Sequence, residues 1–227
     1  MICKICGKSN ISITYKGQIR NGGLGQYTDA EVEMYKCADC GVIWHEPILD
    51  NKEFYESEEY RKSLEWTSEE EDFYRLHDRE SLDKFTYTGT SIFRNKTVAD
   101  IGCGCGAFLD FVNGVAKQVV AIEPTEKYRE IMKRKGFTTY DYATSAEADF
   151  AGKVDVITSF DVIEHVLSPL DFLKDAYRLM SGGGGGYWNA DRCSGNEDNA
   201  WSRLREETFI QYTTSLGAWR EEFKAYG

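Results

Sequence analysis

The chain predicts an α/β fold, a doubly wound parallel sheet, and three stretches carry that reading. Val98-Ala99-Asp100-Ile101 runs into Gly102-Cys103-Gly104-Cys105-Gly106 and then into an amphipathic run from Ala107-Phe108-Leu109. That is a strand, a tight turn and a helix start. Val119-Val120-Ala121-Ile122 is a second apolar strand, ending on the acid Glu123. Val154 to Ser159 is a third, followed at once by Phe160-Asp161.

The glycine loop lets the backbone pass close to a ligand in conformations a Cβ would forbid. The helix start behind it leaves free N–H groups facing the same place. Glu123 follows about 20 residues after the loop, where nucleotide-binding α/β folds place an acid on ribose hydroxyls. Together these point to an adenosine-containing ligand. An ordinary strand–helix turn with glycines for packing is the bland alternative, and such turns rarely need three glycines.

The spacing separates ligand types. Dinucleotide sites use G-x-G-x-x-G, whereas here the order is Asp-x-Gly-x-Gly-x-Gly. An acid two residues before the first glycine repels a pyrophosphate and suits an ammonium. This pattern resembles the first motif of the class I S-adenosylmethionine-dependent methyltransferases. The resemblance implies a Rossmann-like methyltransferase sheet. It also implies Asp100 near the amino-acid end of S-adenosyl-L-methionine, and Gly102, Cys103, Gly104, Gly106 and Phe108 along the cofactor's path. Glu123 and Pro124 would meet the ribose. Asp141, at the end of the short strand Thr138-Thr139-Tyr140-Asp141, and Tyr142, in the turn Tyr142-Ala143-Thr144-Ser145 that follows, would meet the adenine.

Phe160-Asp161-Val162-Ile163-Glu164-His165-Val166 resembles the fourth motif of the same family, whose residues lie beside the sulfonium and the acceptor. The resemblance puts Phe160 and Asp161 at the cofactor. Glu164 and His165 are the catalytic candidates, since the ordinary imidazole pKa suits a general base. An orienting or helix-starting role for the Glu-His pair stands beside that reading. Ser168-Pro169 opens a further helix, with proline at its first position.

Upstream, Cys3-Lys4-Ile5-Cys6-Gly7 and Cys37-Ala38-Asp39-Cys40-Gly41 are two C-x-x-C-G knuckles. Four thiolates make a closed tetrahedral structural Zn2+ site; a redox dithiol is the rival. Strand-like Ile11–Tyr15 and Val32–Lys36 between the knuckles complete a small zinc ribbon over 1–46. His45 is expected on the surface or in packing. Residues 47–96 read as a helical linker or lid. Ser68-Glu69-Glu70-Glu71-Asp72 opens a helix with carboxylates in its first turn, as the dipole prefers. Tyr55, Tyr60, Phe73 and Tyr74 read as packing before substrate stacking, with Tyr60 or Arg61 as lid residues that reach the pocket. His77 is expected on the surface.

The methyltransferase domain spans 97–227. Two departures from the family pattern stand out. Ser181 is followed by five glycines, which make a poor strand, so the fifth strand is expected to be short or irregular. Thr208–Leu216 is expected as a turn leading to a helix over 219–225, with no sequence left for the last two strands. An uncovered sheet edge would then favour a homo-oligomer. Asp191–Asp198 is a candidate substrate loop, with Cys193 incidental in it.

The 227 residues carry a net charge of −11 and are 41% apolar. That balance disfavours long nucleic acids, which call for a basic face. No leader and no 18-residue apolar run is present, so the expectation is a cytoplasmic protein without membrane association. The seven cysteines are an odd count, which argues against a disulfide framework. The reading is methyl transfer from S-adenosylmethionine to a small acceptor, a sugar or nucleotide-sugar among the candidates. An RNA methyltransferase and a non-catalytic cofactor-binding scaffold are the alternatives. The Glu206–Tyr212 region lacks the histidines of related sugar C-methyltransferases, which argues against that chemistry.

Overall fold

The structure, a computed structural model, describes residues 1–19, 27–46, 55–57, 62, 69–189 and 210–213. The described residues form two compact units, one up to Glu69 and one from Glu70 onward. Tyr60, Arg61, Cys193, the 191–198 loop and the helix expected over 219–225 lie outside the described residues.

In the first unit, β1 (Ile11–Gly17), β2 (Val32–Cys37) and β3 (Ile43–His45) form an antiparallel sheet in the order β1-β2-β3. A register shift between Ile13 and Tyr15 marks a bulge. The third strand was not anticipated; it returns from the second knuckle and pairs Trp44 with Tyr35. The two knuckles have the same backbone design. Gly7 N–H donates to Cys3 O (3.0 Å) and Gly41 N–H to Cys37 O (2.9 Å). Both glycines have positive φ (73° and 77°), which closes each turn at no Cβ cost.

The second unit begins with α1 (Glu70–Thr88), whose first turn carries Glu70, Glu71 and Asp72 as the helix dipole favours. There follow β4 (Thr97–Ile101), α2 (Ala107–Asn113), β5 (Gln118–Ile122), α3 (Glu126–Arg134) and β6 (Thr138–Tyr140). The chain continues through α4 (Ala143–Phe150), β7 (Val154–Phe160), α5 (Pro169–Leu179), β8 (Met180–Asn189) and β9 (Ile210–Thr213). The sheet order is β6-β5-β4-β7-β8-β9. The first five strands in that order are parallel, and β9 is antiparallel to β8.

Every residue of β4 is buried, as expected of a central parallel strand covered on both faces. The chain leaves β4 for β5 and β6 on one side, then crosses back to β7 on the other. The carboxyl ends of β4 and β7 therefore flank the switch point, where ligands of open α/β sheets bind. Phe93, Phe108, Leu109, Val112, Met132 and Phe137 build the core on one face, with Phe85 of α1 packed against it.

Three expectations are corrected. The fifth strand, β8, pairs irregularly as expected but is ten residues long rather than short. Its glycines are accommodated by a register shift between Val154 and Val156 of β7. A Cβ on Gly184 would lie 2.9 Å from Asp155 O and 3.0 Å from Val154 O, so a bare Cα lets the two backbones close over that irregularity. Of the segment expected as turn and helix, Ile210–Thr213 is strand, as its β-branched and aromatic residues favour. The edge of β8 is thus paired with β9 rather than bare. Tyr142–Ser145, expected as a turn, is the entry to α4.

Gly184→Ala is expected to cost about 1–3 kcal/mol of stability, while Gly182→Ala and Gly183→Ala, with open space at the Cβ position, change it by less than about 1 kcal/mol. Equilibrium urea unfolding measures the difference. Equal effects at all three positions would show that the irregularity needs no bare Cα.

Candidate functional site

Asp100 is the fourth residue of β4 and is only 3% exposed. Its register partner on β7 is Thr158, whose hydroxyl donates to Asp100 Oδ1 at 2.7 Å. Burial pushes the Asp100 carboxyl up to about 7, against the Thr158 hydrogen bond and the charge of Lys84, and with help from Glu123. Next along β7, Ser159 Oγ donates to Ile101 O (2.9 Å), fastening the strand end from which the glycine loop departs.

The loop turns tightly: Gly102 N–H donates to Ile122 O (2.7 Å) and Gly106 N–H to Cys103 O (2.9 Å). Gly102, Gly104 and Gly106 all have positive φ, so each takes a conformation L side chains rarely adopt. Two of them also admit a neighbour. A Cβ on Gly102 would overlap the Val162 side chain, and one on Gly104 would meet the Phe73 ring at 2.5 Å. At these two positions the loop's glycines serve packing as well as turning.

Glu123, 6% exposed, spans the gap between β4 and β5. Its Oε2 accepts from Gly104 N–H and its Oε1 from Thr125 N–H, both at 2.9 Å. Arg129 of α3 then donates to the main-chain oxygens of Glu123 (2.8 Å) and the half-buried Pro124 (2.5 Å). Asp141 holds the entry to α4: Oδ1 accepts from Tyr142 N–H (2.9 Å). Ser145, by side-chain hydrogen bond, is the main cause that keeps this carboxyl below its ordinary range.

The remaining sequence candidates are placed less uniformly. Phe108 is in the core, edge-on to Phe160 at 4.9 Å. Cys103 points inward, its thiol 3.5 Å from Met132 Sδ; burial above all raises it well above the ordinary thiol range. Asp161, immediately after β7, has φ 57°. Glu164 and His165 lie on the short 310 turn Ile163–His165, and the His165 side chain is exposed.

Sequence reasoning missed much of what α1 brings. Phe73 lies over Gly104, and Tyr74 Oη donates to Cys105 O at 2.8 Å. His77, expected on the surface, is half-buried against Phe73 with ring centroids 4.4 Å apart. Lys84 pairs with Asp161 (2.9 Å) and Glu80 (2.5 Å). Positions 73, 77, 81 and 84 follow helical spacing, so their shared face was readable; its target was not.

The methyltransferase domain family model matches residues 69–227. The chain belongs to this methyltransferase family. Among curated relatives, the ubiquinone biosynthesis O-methyltransferase of Thiobacillus denitrificans is 27% identical over 126 residues, covering 52% of this chain and 54% of that protein. The Caulobacter vibrioides protein of the same name is 33% identical over 99 residues, covering 40% of this chain and 39% of that protein. The chain thus spans about half or less of these relatives' length. A putative S-adenosylmethionine-dependent methyltransferase of Listeria monocytogenes is similar with a TM-score of 0.44 at 22% identity, over 52% of this chain and 55% of that one. Haemonchus contortus phosphoethanolamine N-methyltransferase 1 gives 0.45 at 16% identity, over 63% of this chain and 30% of that one.

The carboxyl ends of β4 and β5 thus carry two buried hydrogen-bond acceptors, the side chains of Asp100 and Glu123. Asp100 is a buried carboxylate whose ionisation is held back by burial, so an ammonium placed against it gains Coulombic energy that water would otherwise screen. In the other unit, the Sγ atoms of Cys3, Cys6, Cys37 and Cys40 all lie within 4.8 Å of one another. Cys3–Cys40 and Cys6–Cys37 are each 3.6 Å apart. That spacing suits four sulfurs about 2.3 Å from a common tetrahedral centre. Burial pushes the Cys40 thiol up to about 12. Cys37, which burial would also raise, is drawn down to about 7 by the N–H groups of Cys40 and Asp39. Such a cluster carries four thiolates together only around a cation.

The buried Asp100 also makes stability fall with pH. Its native pKa is raised from 3.8 to about 7, so its contribution is fully present below the unfolded value and is lost as pH rises through about 7. Asp100→Asn is therefore expected to stabilise the ligand-free protein at pH 8 by roughly a few kcal/mol, with little effect at pH 4. Thermal unfolding at the two pH values measures this, and equal shifts at both would show that Asp100 ionises freely.

Proposed function

We propose that the chain transfers a methyl group from S-adenosylmethionine to a hydroxyl of a small acceptor, sugars and nucleotide-sugars included. The observation that carries this is the pair of buried acids, Asp100 and Glu123, on either side of the glycine loop at the ends of neighbouring strands. The family supports the chemistry. The O-methyltransferase relatives, matched over part of their length, support oxygen as the accepting atom. The net charge of −11 supports a small acceptor over a polynucleotide.

S-adenosylmethionine, when bound, supplies an electrophilic methyl on a sulfonium. Asp100 takes the ammonium of its amino-acid end, and Glu123 takes the ribose hydroxyls with the second lone pairs of oxygens already fixed by Gly104 and Thr125. The entry to α4 at Asp141 and Tyr142 borders the adenine. Phe160 and Asp161 flank the reacting end. His165, exposed on the 310 turn beside Glu164, is the candidate to accept the acceptor's proton. Alignment of the acceptor supplies most of the acceleration in such a displacement. The role of the four cysteines is a structural zinc site, because four protein thiolates leave no open coordination position.

Calorimetric titration with S-adenosylhomocysteine is expected to give binding that strengthens from pH 6 to pH 8, as Asp100 ionises. Asp100→Asn should weaken it by about tenfold or more, the scale of a buried charge-assisted hydrogen bond. No binding by folded wild-type protein would sink the assignment. Elemental analysis should find one zinc per chain in the purified protein, and Cys37→Ser should lose it. Metal-free wild-type protein that melts at an unchanged temperature would refute a structural metal.

A further inference from the structure

Lys84 is the one lysine in the buried set of described residues, its side chain 9% exposed. It belongs to α1, yet its ammonium lies at the carboxyl end of β7, 2.9 Å from Asp161 Oδ2. It is 2.5 Å from Glu80 Oε1 and 4.8 Å from the centre of the Phe160 ring. Burial works against its charge, but the Asp161 and Glu80 carboxylates outweigh burial and hold its pKa above the ordinary lysine value. A structural lysine at a helix surface has no need of this. The ammonium could leave for water along a flexible four-carbon stem, and it is kept in by two carboxylates and an aromatic face.

What it grips is a strained turn. Asp161 has φ 57°, a conformation that costs a non-glycine residue about 1 kcal/mol or more unless its surroundings hold it. The next residue, Val162, is the side chain laid over Gly102 of the glycine loop. The order of parts is therefore Lys84, Asp161, Val162, Gly102: a lysine on one element fixes a carboxylate whose neighbour covers the loop. At the far end of the same helix Phe73 covers Gly104. Lys84 also lies close enough to Asp100 for its charge to oppose that residue's raised pKa.

We propose that Lys84 is a positioning residue of the cofactor site: by gripping Asp161 it holds the segment after β7 against the glycine loop, and so sets the affinity for the cofactor. This rests on the reading of that site as one for S-adenosylmethionine.

The test is a double-variant cycle on the full chain, with S-adenosylhomocysteine as the probe. Lys84→Met keeps the stem and removes the charge; Asp161→Asn keeps a residue that tolerates the left-handed turn and removes the partner. Each is expected to weaken binding about tenfold, and the double variant no further than either single one, because both break one device. Near-ultraviolet circular dichroism and thermal melting establish that each variant is folded. If Lys84→Met fails to fold, Glu80→Gln and Asp161→Asn form the cycle, since both side chains are partly exposed. Additive losses, or affinities within about twofold of wild type in folded variants, overturn the proposal. Wild-type protein that binds no S-adenosylhomocysteine instead refutes the site assignment itself, which the cycle distinguishes.

Discussion

The carboxylate of Glu123 holds the site together. Parallel strands β4 and β5 leave the sheet side by side, and their two following loops have no ladder to join them. Glu123 replaces the ladder, accepting from Gly104 N–H on one side and Thr125 N–H on the other. A carboxylate with two amide donors is a strong, charge-assisted connection, and Arg129 clamps the main chain behind it. That bridge ties the glycine loop to the start of α3, beside the loop's own hydrogen bonds to Ile122 and Cys103. The acid expected for ribose is therefore also the brace of the loop, since each oxygen has a second lone pair to offer.

Two buried acids set the charge of the proposed cofactor site. Asp100 and Glu123 are buried within one layer of the sheet edge, and burial holds Asp100 near the point of protonation. Desolvating a lone carboxylate destabilises the fold, so the ligand-free protein carries an electrostatic cost that a cationic ligand would offset. Lys84 offsets only part of this, because Asp161 and Glu80 also share its charge and Asp100 stays raised to about 7. Its other effect is geometric. It ties α1 to the end of β7, and α1 in turn brings Phe73 onto Gly104.

The N-terminal unit solves a different problem with the same local device. Among the described residues of this unit the buried apolar side chains are Cys3 and Cys37, so packing of a core contributes little there. Two C-x-x-C-G turns bring four thiols together at the end of β2 and near the start of the chain. Their mutual closeness makes sense around a cation, and the glycines with positive φ make the turns possible.

The sequence by itself determined the parts whose physics is local. Apolar runs marked β4, β5 and β7; the alternating glycines marked the loop; the paired knuckles marked the cysteine cluster; serine before proline marked α5, whose cap is Ser168 Oγ. Each depends on residues within a few positions of one another, so pattern suffices. Only the tertiary structure decided what distant residues do to one another. That β8 tolerates its glycines follows from a close approach to Val154 and Asp155. That 210–213 is a strand follows from an available edge on β8. That Lys84, on a charged helix, belongs to the site follows from Asp161, 77 residues away in sequence. Helical spacing shows which side chains share a face, but the surface that face meets is fixed by how the chain folds back on itself.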